Sequence, residues 1–168
     1  MSAARFSVRT TTADDWEQVR DLRLEMLRDT PLAFGEKLEA ALRHSEGTWR
    51  MRGARGSGST GTFMVAIDES TGRWVGTMGG FIEDGHAMLV GVYVTPSHRG
   101  QRNGVAEALL AEVEHWARAI GSTLRLHVHE ANSRARAFYQ RLGFVETGQL
   151  YPYVHDRTAN EIEMIKRL

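Results

Sequence analysis

One stretch constrains the fold of this chain more than any other. Val90 to Leu110 reads VGVYVTPSHRGQRNGVAEALL. Val90 to Val94 is β-branched and aromatic, which predicts a strand. Thr95 to Asn103 carries Pro96, Arg99, Gly100, Gln101, Arg102 and Asn103, which predicts a polar turn. From Gly104 to Ile120 the period becomes helical, with Val105, Leu109, Val113, Trp116 and Ile120 at spacings of four, four, three and four. Gly121 can cap that helix. A buried strand thus feeds a long helix through a loop rich in Gly and Arg. The first amides of a helix lack intrahelical partners, and the helix dipole is positive there. Such a junction suits a phosphate. Gly104 and Ala106 keep side chains away from a close ligand, and Arg99 and Arg102 can add charge.

The rest of the chain reads as one domain built around that junction, over residues 1–168. Arg5 to Thr10 predicts a first strand. A helix follows, with Trp16, Val19, Leu22, Met26 and Leu27 on one face, ending at Pro31. A second helix is expected from Glu36 to about His44, extended by Trp49 and Met51 after a break at Gly47. Gly53 to Gly61, GARGSGSTG, predicts a flexible exposed loop, with a mobile flap as the other reading. Thr62 to Ile67, Arg73 to Ile82 and His86 to Val94 predict an antiparallel meander, its second turn at Glu83-Asp84-Gly85. Leu124, Leu126 and Val128 alternate with Arg125, His127 and His129 in the next strand. The strand, helix, strand order predicts a right-handed crossover and a parallel pair. Asn132 caps a helix to Leu142. Strands starting at Phe144 and Glu161 complete a mixed α/β sheet with helices on both sides.

Two motifs in this order carry a family resemblance. Gln101 to Ala106 fits the Q/R-x-x-G-x-G/A signature of the GCN5-related N-acetyltransferases (GNAT family). Asn132 to Phe144, NSRARAFYQRLGF, resembles that family's N-x-x-A-x-x-F-Y-x-x-x-G-F segment. The likeness is clear from about Gly72 to Gly148. The longer template P-x-x-R-G-x-G-x-G, counted from Pro96, puts Arg102 at its first Gly and Gly104 at its second. The register from Gln101 is preferred, because Ala108-Leu109-Leu110 then falls at the family's A-L-L, and it implies a wider phosphate loop.

The resemblance implies a mostly antiparallel sheet of six to seven strands with a splayed parallel pair, flanked by about four helices. It implies acetyl-coenzyme A as co-substrate. Val92, Tyr93 and Val94 would pair through their backbone with the pantetheine and polarise the thioester carbonyl. Arg99, Gln101, Arg102, Asn103, Gly104, Val105 and Ala106 would hold the diphosphate. Asn132, Ala135 and Phe138 would touch the cofactor, and Tyr139 would protonate the departing sulfur.

The general base is not fixed by the motif. Glu83 lies where the family often offers a carboxylate. His127, His129 and a water chain are alternatives, because imidazole titrates nearest neutrality. The bland reading makes Glu83 a surface hairpin carboxylate and both His polar-face residues. His127 and His129 share a strand face without an evident third ligand, so no metal is expected. The chain has no cysteine, which excludes an acyl-cysteine intermediate and disulfides.

The implied activity is direct transfer of acetyl to a primary amine of a small molecule or peptide. The alternative is a catalytically silent acyl-CoA sensor or interaction module. A nucleotide-binding P-loop is the weakest reading, since G-x-x-x-x-G-K-[ST] is absent and Gly104 is not followed by Lys. With zero formal net charge, no bulk attraction to nucleic acid or membrane is expected. The N-terminus MSAARFSVRTTT lacks an apolar signal core, so the cytoplasm is the expected compartment. The acceptor pocket is expected from the N-terminal helices, the Glu83 hairpin and Gly148 to Asn160, with Tyr151, Tyr153, His155 and Asp156. A homodimer is the family's common state.

Overall fold

The computed structural model describes residues 5–168. The first four residues of the stretch read for a signal core lie outside the described residues. The chain forms β1 (Phe6–Thr10), α1 (Trp16–Asp29), α2 (Leu38–Ala41), α3 (Glu46–Ala54), β2 (Gly61–Asp68), β3 (Trp74–Glu83) and β4 (His86–Val94). These are followed by α4 (Val105–Arg118), β5 (Thr123–His129), α5 (Ser133–Arg141), β6 (Val145–Tyr153) and β7 (Asp156–Arg167). The strands make one seven-stranded sheet in the order β1-β2-β3-β4-β5-β7-β6. Every neighbouring pair is antiparallel except β4 and β5. Among the described residues no helix is long and apolar enough to cross a membrane.

Each face of the sheet buries its own apolar cluster. On one, α4 sets Val105, Leu109 and Val113 against Met78, Leu124, Leu126 and Met164 from the strands, and Phe144 joins them. Side chains buried this completely contribute about 1.5–3 kcal/mol each in removed apolar area. On the other, Val19, Leu22, Met26, Trp49 and Phe34 cover Val65, Trp74 and Tyr93.

Two expectations for the N-terminal half need correction. The predicted helix from Glu36 shrinks to the single turn α2, and Trp49 belongs to a separate helix, α3. The Ser45 hydroxyl accepts the Thr48 N–H at 3.3 Å, which starts α3, and Gly47 falls inside its first turn, where it breaks nothing. The glycine-rich stretch is only in part the exposed loop expected, because its first residues belong to α3 and two of its glycines pack against backbone. Gly53 ends α3 against the Thr12 carbonyl, where a Cβ would meet oxygen at 2.3 Å. A Cβ on Gly56 would meet the Thr11 carbonyl at 2.2 Å. These two glycines permit close backbone approach, and the exposed connection runs from Ser57 to Thr60.

The C-terminal strands are longer than the sequence indicates. The segment from Gly148 to Asn160 forms the distal part of a β6–β7 hairpin. Pairing there sets polar residues against Tyr and Pro, as at Tyr151↔Glu161 and Pro152↔Asn160, so hydrophobic alternation does not reveal it.

Candidate active site

The site begins where β4 and β5 part. They pair only at Ala87↔Leu124 and Met88↔Arg125, although β4 continues to Val94 and β5 to His129. Against β7, by contrast, β5 stays in register from Thr123↔Arg167 to His129↔Glu161. A bulge turns β4 away. Thr77 pairs with Tyr93 but Gly79 with Val90, so β4 carries one extra residue there. Gly91, at φ 59°, takes the left-handed conformation that the bulge requires. The backbone beyond Met88 thereby faces a gap instead of a neighbouring strand.

That gap opens into a cleft of about 1260 Å³ lined by Val90, Gly91 and Val92, with Glu83, His127 and Tyr139. The bulge also reverses side-chain parity. Ala87 and Leu89 pack in the α4 cluster, whereas Tyr93 is buried on the opposite face under α1. The Tyr93 hydroxyl donates to Asp29 at 3.1 Å, and its pKa is pushed up by burial and by nearby Glu25 and Asp29. Tyr93 can therefore offer a ligand its backbone, while its ring serves the core.

The loop after β4 is tied down at its start. His98 Nε2 lies 3.0 Å from Asp68 Oδ2. Arg99 donates through Nε to the Val94 carbonyl at 2.8 Å, pairs with Asp29 and lies over the Tyr93 ring. Its guanidinium is thus committed to the fold. Asn103 donates its side-chain N–H to the Arg99 carbonyl at 2.9 Å. Gln101 and Arg102 are exposed.

Gly104 is the N-cap of α4, at φ 67°, and no side chain caps that helix. A Cβ on Gly104 would meet nothing within 4 Å, so the space beside the first turn is open. The template counted from Pro96 and the signature counted from Gln101 both arrive at this residue. Whichever register is used, Gly104 is the residue that opens the helix. Val105 and Ala106 turn their side chains into the core, leaving their amides at the helix tip.

The second motif is on α5. Asn132 Oδ1 accepts the Ala135 N–H at 3.1 Å. Ala135, Phe138 and Tyr139 pack against the α4 cluster. Tyr139 meets Phe144 edge-on at 5.9 Å. Burial pushes the Tyr139 pKa above the ordinary phenol value, so the hydroxyl is a neutral donor. It has no hydrogen-bond partner among the described residues, and it lines the cleft.

Pairing of β5 with β7 creates a polar group the sequence reading missed. His127 lies with Nδ1 3.8 Å from Glu161 and Nε2 3.8 Å from Glu163. Its ring stacks on Tyr151 at 4.4 Å and 21°. Buried Glu163 accepts from Thr147 at 3.0 Å and from Tyr151 at 3.3 Å. The charge of Glu163 raises the Tyr151 pKa. The only sequence signal was alternation of charged and apolar residues in the last strand, where Glu161 and Glu163 interleave Ile162 and Met164. Glu83 ends β3 at the cleft edge, exposed. His129 meets Tyr153 edge-on at 4.6 Å and does not line the cleft.

A mixed sheet that opens between its parallel strands, with an uncapped helix start on one side and a half-buried tyrosine on the other, defines an acyl-CoA N-acyltransferase fold. The model of the Acetyltransferase (GNAT) family matches residues 16–144, and the chain belongs to that family. Solved structures agree on the fold. PaiA N-acetyltransferase from Thermoplasma acidophilum, in complex with coenzyme A, is 22% identical with a TM-score of 0.77, over 98% of this chain and 99% of that one. A phosphinothricin acetyltransferase from Sinorhizobium meliloti, in complex with AcCoA, is 22% identical with a TM-score of 0.74, over 97% of this chain and 88% of that one. A GCN5-related N-acetyltransferase from Kribbella flavida is 21% identical with a TM-score of 0.73, over 97% and 98% of the two chains. No curated protein matches the sequence significantly.

Proposed function

We propose that this protein is an acetyl-CoA-dependent N-acetyltransferase that moves acetyl directly onto a primary amine. The observation that carries this reading is the Tyr139 hydroxyl, neutral and without a partner among the described residues, lining the cleft that starts at the β4–β5 gap. The diphosphate of the co-substrate would rest on the amides of Val105 and Ala106 beside Gly104. The pantetheine would pair with the backbone of Val92 and Tyr93 on the edge that has no neighbouring strand, while the Val94 carbonyl already accepts from Arg99.

In the transfer, the amine nitrogen attacks the thioester carbonyl carbon and a C–N bond forms. Backbone N–H groups freed by the bulge stabilise the oxyanion. The C–S bond then breaks, and Tyr139 gives or shares its proton with the leaving sulfur. Two groups in the cleft can take the amine's proton, Glu83 and His127. Holding both substrates in one cleft supplies much of the acceleration by removing the cost of a second encounter.

The test is a thiol-release assay over amines, amino acids, polyamines, aminoglycosides and peptides, with calorimetric titration of coenzyme A. Turnover of at least one amine is expected. Coenzyme A binding without turnover of any amine would instead leave a silent acyl-CoA-binding module.

A further inference from the structure

The cleft has walls of opposite charge. On the N-terminal side stand Arg23 of α1, Arg52 of α3, Lys37 and Arg55, with the single carboxylate Glu36 among them. Glu36 accepts from Arg52 Nη1 at 2.9 Å and Nη2 at 2.8 Å, and from Arg23 Nε at 2.9 Å. His44 Nε2 lies 2.6 Å from the same carboxylate. Burial opposes the charge of Glu36, yet these partners outweigh it and hold its pKa well below the usual carboxylate range. Two guanidiniums thus share one carboxylate, each with a side chain only 21% exposed, and positive charge is left over.

Arg23 is where that excess is available. Its Nε is spent on Glu36, but Nη1 and Nη2 have no acceptor among the described residues. The guanidinium lies 5.0 Å over the Phe34 ring, which fixes its plane in the cleft wall. Burial, together with the charges of Arg52 and Arg55, pushes its pKa down from the ordinary guanidinium value. A group buried with surplus like charge gains most from an anion, and a carboxylate matches the guanidinium fork. The strand side of the lining carries the carboxylates Glu83 and Glu161, with His127 and His155.

Building on the acetyltransferase reading, we propose that the acceptor is a small amino acid, with its carboxylate on Arg23 and its amine toward Glu83, His127 and Tyr139. A polyamine would bring a second ammonium to the arginine wall. A neutral amine would leave the excess charge there unpaired.

Thiol release from acetyl-CoA, measured with the proteinogenic amino acids, their α-amides and spermidine, tests this. The best amino acid should exceed its own α-amide by about tenfold or more in kcat/KM. Arg23→Gln should raise KM for that amino acid about tenfold and abolish the preference over the amide, while Arg23→Lys restores part of it. Thermal melts of both variants establish that they fold. Equal or better turnover of the amides or spermidine, or an unchanged KM in folded Arg23→Gln, overturns the proposal. If no amine is turned over, titration of the N-acetyl amino acids onto the coenzyme A-loaded protein decides. Binding that Arg23→Gln abolishes would retain the carboxylate site while the acetyl-transfer reading fails, and absence of binding would overturn the site as well.

Discussion

Helices α4 and α5 follow the two strands that part from each other, β4 and β5, yet they present opposite things to the gap between them. Helix α4 offers its start: Gly104 leaves the first turn without a side-chain cap, and Val105, Leu109, Leu110 and Val113 behind it are buried. Helix α5 closes its start with Asn132 and presents a side chain from its middle, Tyr139. One helix is positioned so that its backbone is available, the other so that its backbone is satisfied and one hydroxyl is available. Whether an N-terminus is left open or capped therefore separates a helix with free backbone at its tip from one that offers a side chain, within a single sheet.

The sharpest way to break this contrast is Tyr139→Phe. It should lower kcat about 100-fold in the thiol-release assay and leave the affinity for coenzyme A unchanged by calorimetry. An unchanged kcat would remove Tyr139 from the acid role. Gly104→Val should do the reverse, weakening coenzyme A about tenfold or more with a smaller effect on kcat, since the new side chain occupies open space beside the helix tip. Some stability is also lost there, because φ 67° strains any branched residue. If binding is unaltered, the diphosphate does not sit at that tip.

Asn132→Ala should cost about 1 kcal/mol in chemical denaturation, the usual loss for a missing cap, with little change in coenzyme A affinity. The smallest effect expected is on pH dependence. Because burial raises the Tyr139 pKa, its proton stays in place below the ordinary phenol value and is lost only as pH rises through the higher folded value. The same sign makes its contribution to folding fully present below about pH 10 and lost above it. The kcat profile of the wild type should accordingly show no alkaline limb from Tyr139 up to about pH 10. An alkaline limb near neutrality that disappears in Tyr139→Phe would contradict this.

Both helices were legible in the sequence because their signals are local. The apolar spacing from Val105 to Ile120, the run of Asn132 to Phe144 and the glycine at 104 all lie within a few turns of what they specify. The acceptor side was not legible, for a physical reason. His127 acquires Glu161 and Glu163 only through strand pairing, and Arg23 meets Glu36 and Arg52 only once α1 and α3 pack. Such partners are set by tertiary register, which periodicity does not report. Gly53 and Gly56 misled the reading in the opposite direction. Glycine marks both a free chain and a very close contact, and composition cannot tell the two apart.

The extra residue in β4 has a further consequence. It acts as a phase shift, so that everything after Gly91 is wound half a pleat out of step with what precedes it. A chain one residue shorter here would carry Val92 and Val94 to the N-terminal face and Tyr93 to the other, and Asp29 would lose its phenol partner. Between Gly58 and Thr60 the count of residues can drift without harm; at Gly91 it is fixed to the unit.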